Sequence, residues 1–322
     1  MKSALMLVTL LSVASWCPAE DARVRQEAVR LLERANAVSL SPDLPNLERS
    51  VAFRVLDSTT GAQEGTFTRV VVQGTGRRDE ITFGNFHVID VYTGPRLATS
   101  RTREVPPAEI HDVLRLTPID LVRFDNEDVI EGITDRQAGG RALRCIQFDT
   151  VTGQKSNHNE LCVDAANGTL VTEKLGEDYI ENSDFFPFAE ALIPARISYS
   201  YAGIPKLEIS QVMTVLTEVT PHVLAAPPNA QIREMCRTFR RPLGVTMPQP
   251  KPGNGGGDYD IVVRGIIGED GRVTDAVVQS YDRPDLNGEA LSLIQQWVFT
   301  PGMCNGRPNS TEASFTLHFL AR

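Results

Sequence analysis

The chain is 322 residues long, more than one ordinary domain, and its 41% hydrophobic content is enough to bury sizeable cores. A formal net charge of −9 and a sequence isoelectric point near 5.2 set the molecule as a whole against nucleic-acid backbones and anionic membrane surfaces, so nucleic acid is excluded as a partner. The expected fold class is α+β: an amino-terminal curved antiparallel sheet with covering helices, then a small carboxy-terminal β-β-α-β module.

Residues 1–19 read as a secretory signal peptide, with Lys2, an apolar run from Ala4 to Ala14, and a small-residue site at Cys17-Pro18-Ala19. A membrane anchor needs about twenty apolar residues, and Thr9, Ser12 and Ser15 interrupt this run. Trp16 is a poor fit to the small residue that lipid attachment at Cys17 requires. A periplasmic or otherwise exported chain is therefore expected. Removing Cys17 leaves Cys145, Cys162, Cys236 and Cys304, an even number in an oxidising compartment. Cys145 and Cys162 lie in two strand-like runs joined by a polar loop, so they are expected to pair. Cys236 with Cys304 would then clip a Pro/Gly linker against the last module. No C-x-x-C occurs and the five histidines are scattered, so no metal site and no cofactor are expected.

The next segment, 20–235, forms the expected amino-terminal domain. Asp21 to Val38 is an amphipathic helix, with Val24, Ala28, Leu31, Leu32 and Ala35 on one face. From Arg49 to about Thr220, short β-rich runs alternate with Gly, Asn, Asp and Ser turns, and one helix opens at Pro106-Pro107 with Ile110, Val113 and Leu114 apolar. This arrangement of helix, long meander and interrupting helix resembles the lipoprotein-sorting (LolA/LolB-like) half-barrels over residues 46–230. The resemblance implies an apolar cavity for acyl chains, which Phe53, Phe67, Val71, Phe83, Val88 and Tyr92 would line. The same side chains equally suit a dry core, and alternation alone does not distinguish the two.

A Pro/Gly linker at 236–257 leads into the module, 258–322. Tyr259 to Ile267 alternates as a strand, Asp270-Gly271 supplies a tight hairpin, and Val273 to Ser280 returns. Ala290, Leu291, Ile294, Trp297 and Val298 recur at helical spacing, which predicts a helix running to Pro301-Gly302. Glu312 to Phe319 closes the module, with Ala313, Phe315, Leu317 and Phe319 on one face. Asp270-Gly271-Arg272-Val273, Trp297-Val298-Phe299-Thr300-Pro301, Gly306-Arg307-Pro308 and the closing strand, in that order, resemble the TonB carboxy-terminal domain family. The resemblance implies a binding module that receives an extended segment of an outer-membrane protein at its sheet edge. Here that edge is the closing strand, with Glu312, Ser314, Thr316 and His318 on its wet face.

No G-x-S-x-G elbow, Walker loop or H-E-x-x-H is present, and the acidic run Asp125, Glu127, Asp128 reads as a solvated loop. The expected function is therefore non-enzymatic: docking of an envelope partner by strand addition. The alternative is a lipid or lipoprotein carrier built on the amino-terminal sheet.

Overall fold

The computed structural model describes residues 18–39, 45–57, 61–117, 123–124, 128–152, 155–220, 222–250, 259–279 and 283–319. Residues 1–17 of the expected signal segment 1–19, the acidic positions Asp125 and Glu127, and the glycine run 255–257 lie outside these residues, whereas Pro18 and Ala19 begin the first helix. In chain order the first elements are α1 (Pro18–Ser39), β1 (Leu47–Asp57), β2 (Gly61–Val72), β3 (Gly76–Phe83), β4 (Phe86–Thr93), β5 (Arg96–Arg101) and α2 (Ala108–Leu116). There follow β6 (Asp128–Ala138), β7 (Arg141–Thr152), β8 (Lys155–Asp164), β9 (Leu170–Leu175), β10 (Asp178–Phe188), β11 (Ala191–Tyr201) and β12 (Ile204–Val215). The last are β13 (Gln231–Glu234), β14 (Phe239–Arg240), β15 (Leu243–Thr246), β16 (Tyr259–Ile267), β17 (Val273–Val278), α3 (Asn287–Ile294), β18 (Val298–Thr300), β19 (Gly302–Cys304), β20 (Arg307–Asn309) and β21 (Thr311–Phe319). The fold is α+β: β1 to β13 belong to a large curved antiparallel sheet, and a small strand module ends the chain.

The chain divides into two compact units, one of residues 1–40 with 121–179 and one of residues 41–120 with 180–322. In the first, the strands run β9-β8-β7-β6. Helix α1 docks on them through Ala28, Leu31, Leu32 and Ala35, whose spacing of three and four residues makes one stripe. That stripe meets Ile146, Phe148, Leu161 and Val163. Two polar tethers fix it further, from Arg25 to the Asp128 carbonyl at 2.7 Å and from Arg144 to Glu27 at 2.7 Å. Gly168, with φ +81°, takes the left-handed position of the turn before β9. Asp164 Oδ1 accepts the Ala166 and Asn167 N–H groups, and this secures the turn.

In the second unit, the strands run β13-β5-β4-β3-β2-β1-β12-β11-β10. One face buries Val51, Phe53, Val55, Phe67, Ile81, Phe83, Val88, Ile197 and Ile209 beneath Ile110 and Val113 of α2. Burying a side chain of this size stabilises by about 1.5 to 3 kcal/mol, so the contacts of Ile110 and Val113 with this face hold α2 on the sheet.

The small module of the same unit orders its strands β17-β16-β21. Ile261, Val263, Ile267, Phe315, Leu317 and Phe319 face Ala290, Ile294 and Trp297. The helix is shorter than its sequence period predicts, ending at Ile294, because Trp297 and Val298 are claimed by other partners. The Trp297 N–H folds back to the Ile294 carbonyl at 3.0 Å, and its ring meets Phe315 edge-on at 5.7 Å. Val298 instead starts β18, which pairs with β15.

Candidate binding edges

Strand β21 is the last in its sheet, and among the described residues nothing pairs with its outer side. Its inner face is buried through Phe315, Leu317 and Phe319, whereas Glu312, Ser314, Thr316 and His318 are exposed. The main-chain direction follows from the neighbouring strand. The Val262 carbonyl accepts the Gln279 N–H at 2.8 Å, so Val262 turns its peptide groups toward the β17 side. Val262 stands opposite Thr316, and a residue whose partner looks away belongs to a non-hydrogen-bonded pair. The N–H and C=O of Thr316 therefore point to the open edge, as do those of Ser314 and His318 by alternation.

Both ends of this row, Glu312 and His318, already have side-chain partners in their own chain. His318 Nδ1 lies 2.5 Å from Asp260 on β16. Glu312 meets Arg264 at 3.3 Å and His111 of α2 at 3.4 Å, while the Arg264 guanidinium donates to His111 Nδ1 at 3.0 Å. Burial holds the His111 imidazole below its usual pKa, with Arg264 adding to that effect and Glu312 opposing it.

The side chains named for a lipid pocket are distributed otherwise. Phe53, Phe67, Phe83 and Val88 pack on one another and on α2, and Val71 joins a separate cluster with Leu47, Phe188 and Ile193. Tyr92 lies 4.2 Å beneath the Arg77 guanidinium. Two shallow depressions, of about 450 and 510 Å³, lie on the opposite sheet face and are lined largely by small or polar residues, among them Ala52, Thr66, Thr82 and Ser210.

Cys145 is bonded to Cys162, its direct cross-strand neighbour, and Cys236 to Cys304, with Cα atoms 4.0 and 5.0 Å apart. These are the two pairings expected from the sequence. The Cys145, Cys162 and Glu160 group thus has its sulfurs committed to each other, and Glu131, Asp149 and His158 form an ion-paired surface cluster. Within 236–257, sequence reasoning missed two strands, β14 and β15, which pair with β19 and β18. The signal was present in Leu243, Val245 and Met247, apolar at alternate positions between prolines.

Residues 260–320 match the family described as the Gram-negative bacterial TonB protein C-terminal. No curated protein matches the sequence. Among solved structures, a LolA superfamily protein from Nitrosomonas europaea is 13% identical, with 61% of this chain and 96% of that one covered and a TM-score of 0.38. An outer membrane lipoprotein-sorting protein domain from Vibrio parahaemolyticus is 8% identical, covering 64% and 96%, with a TM-score of 0.39. The Pseudomonas aeruginosa MucA/MucB complex gives 12% identity, 88% and 100% coverage, and a TM-score of 0.30. No helix among the described residues is long and apolar enough to cross a membrane.

Proposed function

We propose that this is a periplasmic binding protein that takes an extended segment of an envelope partner onto the outer edge of β21. The observation that carries this reading is the strand's asymmetry: one face is locked into a core while the outward peptide groups at Ser314, Thr316 and His318 have no strand to pair with among the described residues. An unguarded edge of this kind is either an aggregation hazard or a docking surface, and main-chain pairing gives affinity with little dependence on side chains. The two disulfides fit an oxidising compartment. Lipid carriage is the weaker reading, since the apolar strand face it would use is packed under α2.

Thr316→Pro tests the docking reading cleanly. Proline removes an outward donor and breaks no bond to β16, so the module should keep its Trp297 fluorescence while losing capture of outer-membrane proteins from detergent-solubilised envelopes. Equal capture by the wild type and the folded variant would sink the reading. Leu317→Pro is the contrasting control, because by alternation its N–H faces β16 and its loss should unfold the sheet.

A further inference from the structure

The strap of residues 231–250 places a second open strand edge beside a cluster of cations. Ile232, Met235, Phe239, Leu243, Val245 and Met247 are all exposed, at 44 to 68% of their surface. The strap holds four arginines against one glutamate in a chain whose net charge is −9. The guanidiniums of Arg237, Arg240 and Arg241 make no ion pair among the described residues. Large apolar side chains left exposed together mark interaction surfaces, and unpaired cations beside them specify the sign of the partner.

The strap is also held ready. Cys236 is bonded to Cys304, and the Arg237 and Thr238 N–H groups both donate to Asn305 Oδ1, at 3.0 and 3.2 Å. At the far end, Trp297 Nε1 donates to the Pro248 carbonyl at 3.0 Å. Between these anchors, β15 pairs only with β18 among the described residues, so its other side is open. The Leu243 N–H donates to Thr300 Oγ1 at 3.1 Å on the β18 side, which turns the peptide groups of Gly244 outward. A strand fixed at both ends has already lost the freedom that binding would otherwise have to remove.

We infer that β15 and its flanking arginines dock an extended, acidic peptide segment of a partner protein, with alternating apolar residues laid over Leu243 and Val245 and carboxylates meeting Arg240 and Arg241. The occupant follows from three features together. A lipid surface would satisfy the arginines and the apolar side chains but would strand the open peptide groups of β15 without partners. A second copy paired antiparallel through β15 would set Arg240 and Arg241 against the 246–250 end of its own strap, which carries no carboxylate. An acidic strand satisfies charge, apolar surface and main chain at once. This site does not rest on the β21 reading.

The experiment uses the full chain and fluorescein-labelled decapeptides, read by anisotropy. One alternates valine and glutamate, one alternates valine and lysine, and one is the glutamate peptide N-methylated along one edge. The glutamate peptide should bind about tenfold tighter than the lysine peptide, and its affinity should fall with salt. Arg240→Glu with Arg241→Glu should weaken it about tenfold. Thr316→Pro should leave it unchanged, and the N-methylated peptide should bind no better than the lysine one. Equal binding of the two charge types, or of the N-methylated peptide, would overturn the proposal. So would binding to phosphatidylglycerol vesicles without peptide binding, or a concentration-dependent dimer that blocks the peptide. Loss of binding through Thr316→Pro alone would move the peptide to β21, ending this proposal while leaving that of β21 standing.

Discussion

The closing module and the strap before it belong to one unit and are held in place by opposite means. The module buries Ile261, Val263, Ile294, Trp297, Phe315 and Leu317 in a common core, whereas the strap exposes six large apolar side chains and is fastened by a disulfide, a few hydrogen bonds and three short strand pairings. Burial fixes a structure cooperatively, because each side chain needs the others in place. Tethers fix it one attachment at a time. The strap is therefore the part that local openings should reach first, and the module the part that should survive them.

The substitution that should remove the contrast altogether is Trp297→Ala. Trp297 packs against Phe299 and Phe315 and also donates to Pro248, so it serves core and strap together. A loss of about 3 to 5 kcal/mol is expected, read as an early transition in urea followed by hydrogen exchange across 243–319. A variant whose module amides stay protected would contradict this placement of the indole. Next in size is Cys236→Ser with Cys304→Ser. This opens a link between residues 68 apart in sequence, which should cost about 2 to 4 kcal/mol by freeing the denatured chain. Its signature should be local: faster exchange in 237–247 with the β16 and β21 amides unchanged. Collapse of both regions would mean that the module depends on its strap. The bond from Cys145 to Cys162 closes only 17 residues between strands already in register, so its removal should cost less.

The same contrast explains what could be read from the sequence. The module was legible because its signals are local: Asp270-Gly271 for a turn, strict alternation in 259–267 and 312–319, and helical spacing before Trp297. The strap was not, since β15 exists only through partners such as Thr300, 57 residues away, and prolines on either side make it look like a linker. Helical spacing also carried α3 too far, as nothing in the sequence shows that Val298 pairs with β15. Strand β10 escaped for a related reason: Asn182, Ser183 and Pro187 are weak strand formers held by their place in the sheet, and Asp184 interrupts the run with φ +52°. At the candidate edge, the exposed row 312–318 was readable from alternation, but the direction of its peptide groups required the bond from Gln279 to Val262.

Gly271→Ala probes the seam between the two regions. Gly271 has φ +78°, and an added Cβ would come within 1.9 Å of the Phe299 carbonyl oxygen. The Gly271 carbonyl also accepts the Phe299 N–H at 2.8 Å, so any shift of the hairpin drags β18 and hence β15. A cost of about 1 to 3 kcal/mol is expected, with exchange rising in the strap as well as in the hairpin. A neutral substitution would show that the hairpin has room to move.

The smallest effect concerns His111, where α2 meets the module. Arg264 faces its Nδ1 and Glu312 its Nε2, and Asp112 and Arg115 lie near it in the sequence of α2. Burial, then Arg264, lowers its folded pKa beneath the ordinary value of 6.5 despite the carboxylate of Glu312. The unfolded chain therefore binds this proton at a higher pH than the folded one. By linkage, the contribution is fully present above about pH 6.5 and declines as the pH falls from there toward the folded pKa. Denaturation midpoints followed at Trp297 should fall on acidification more in the wild type than in His111→Gln, which keeps a polar side chain and cannot titrate. Glu312→Gln should widen the difference: without the carboxylate that favours the imidazolium, folded His111 is harder still to protonate, and the acid sensitivity should steepen. A wild type and His111→Gln with identical pH profiles would remove His111 from the contact between α2 and the module.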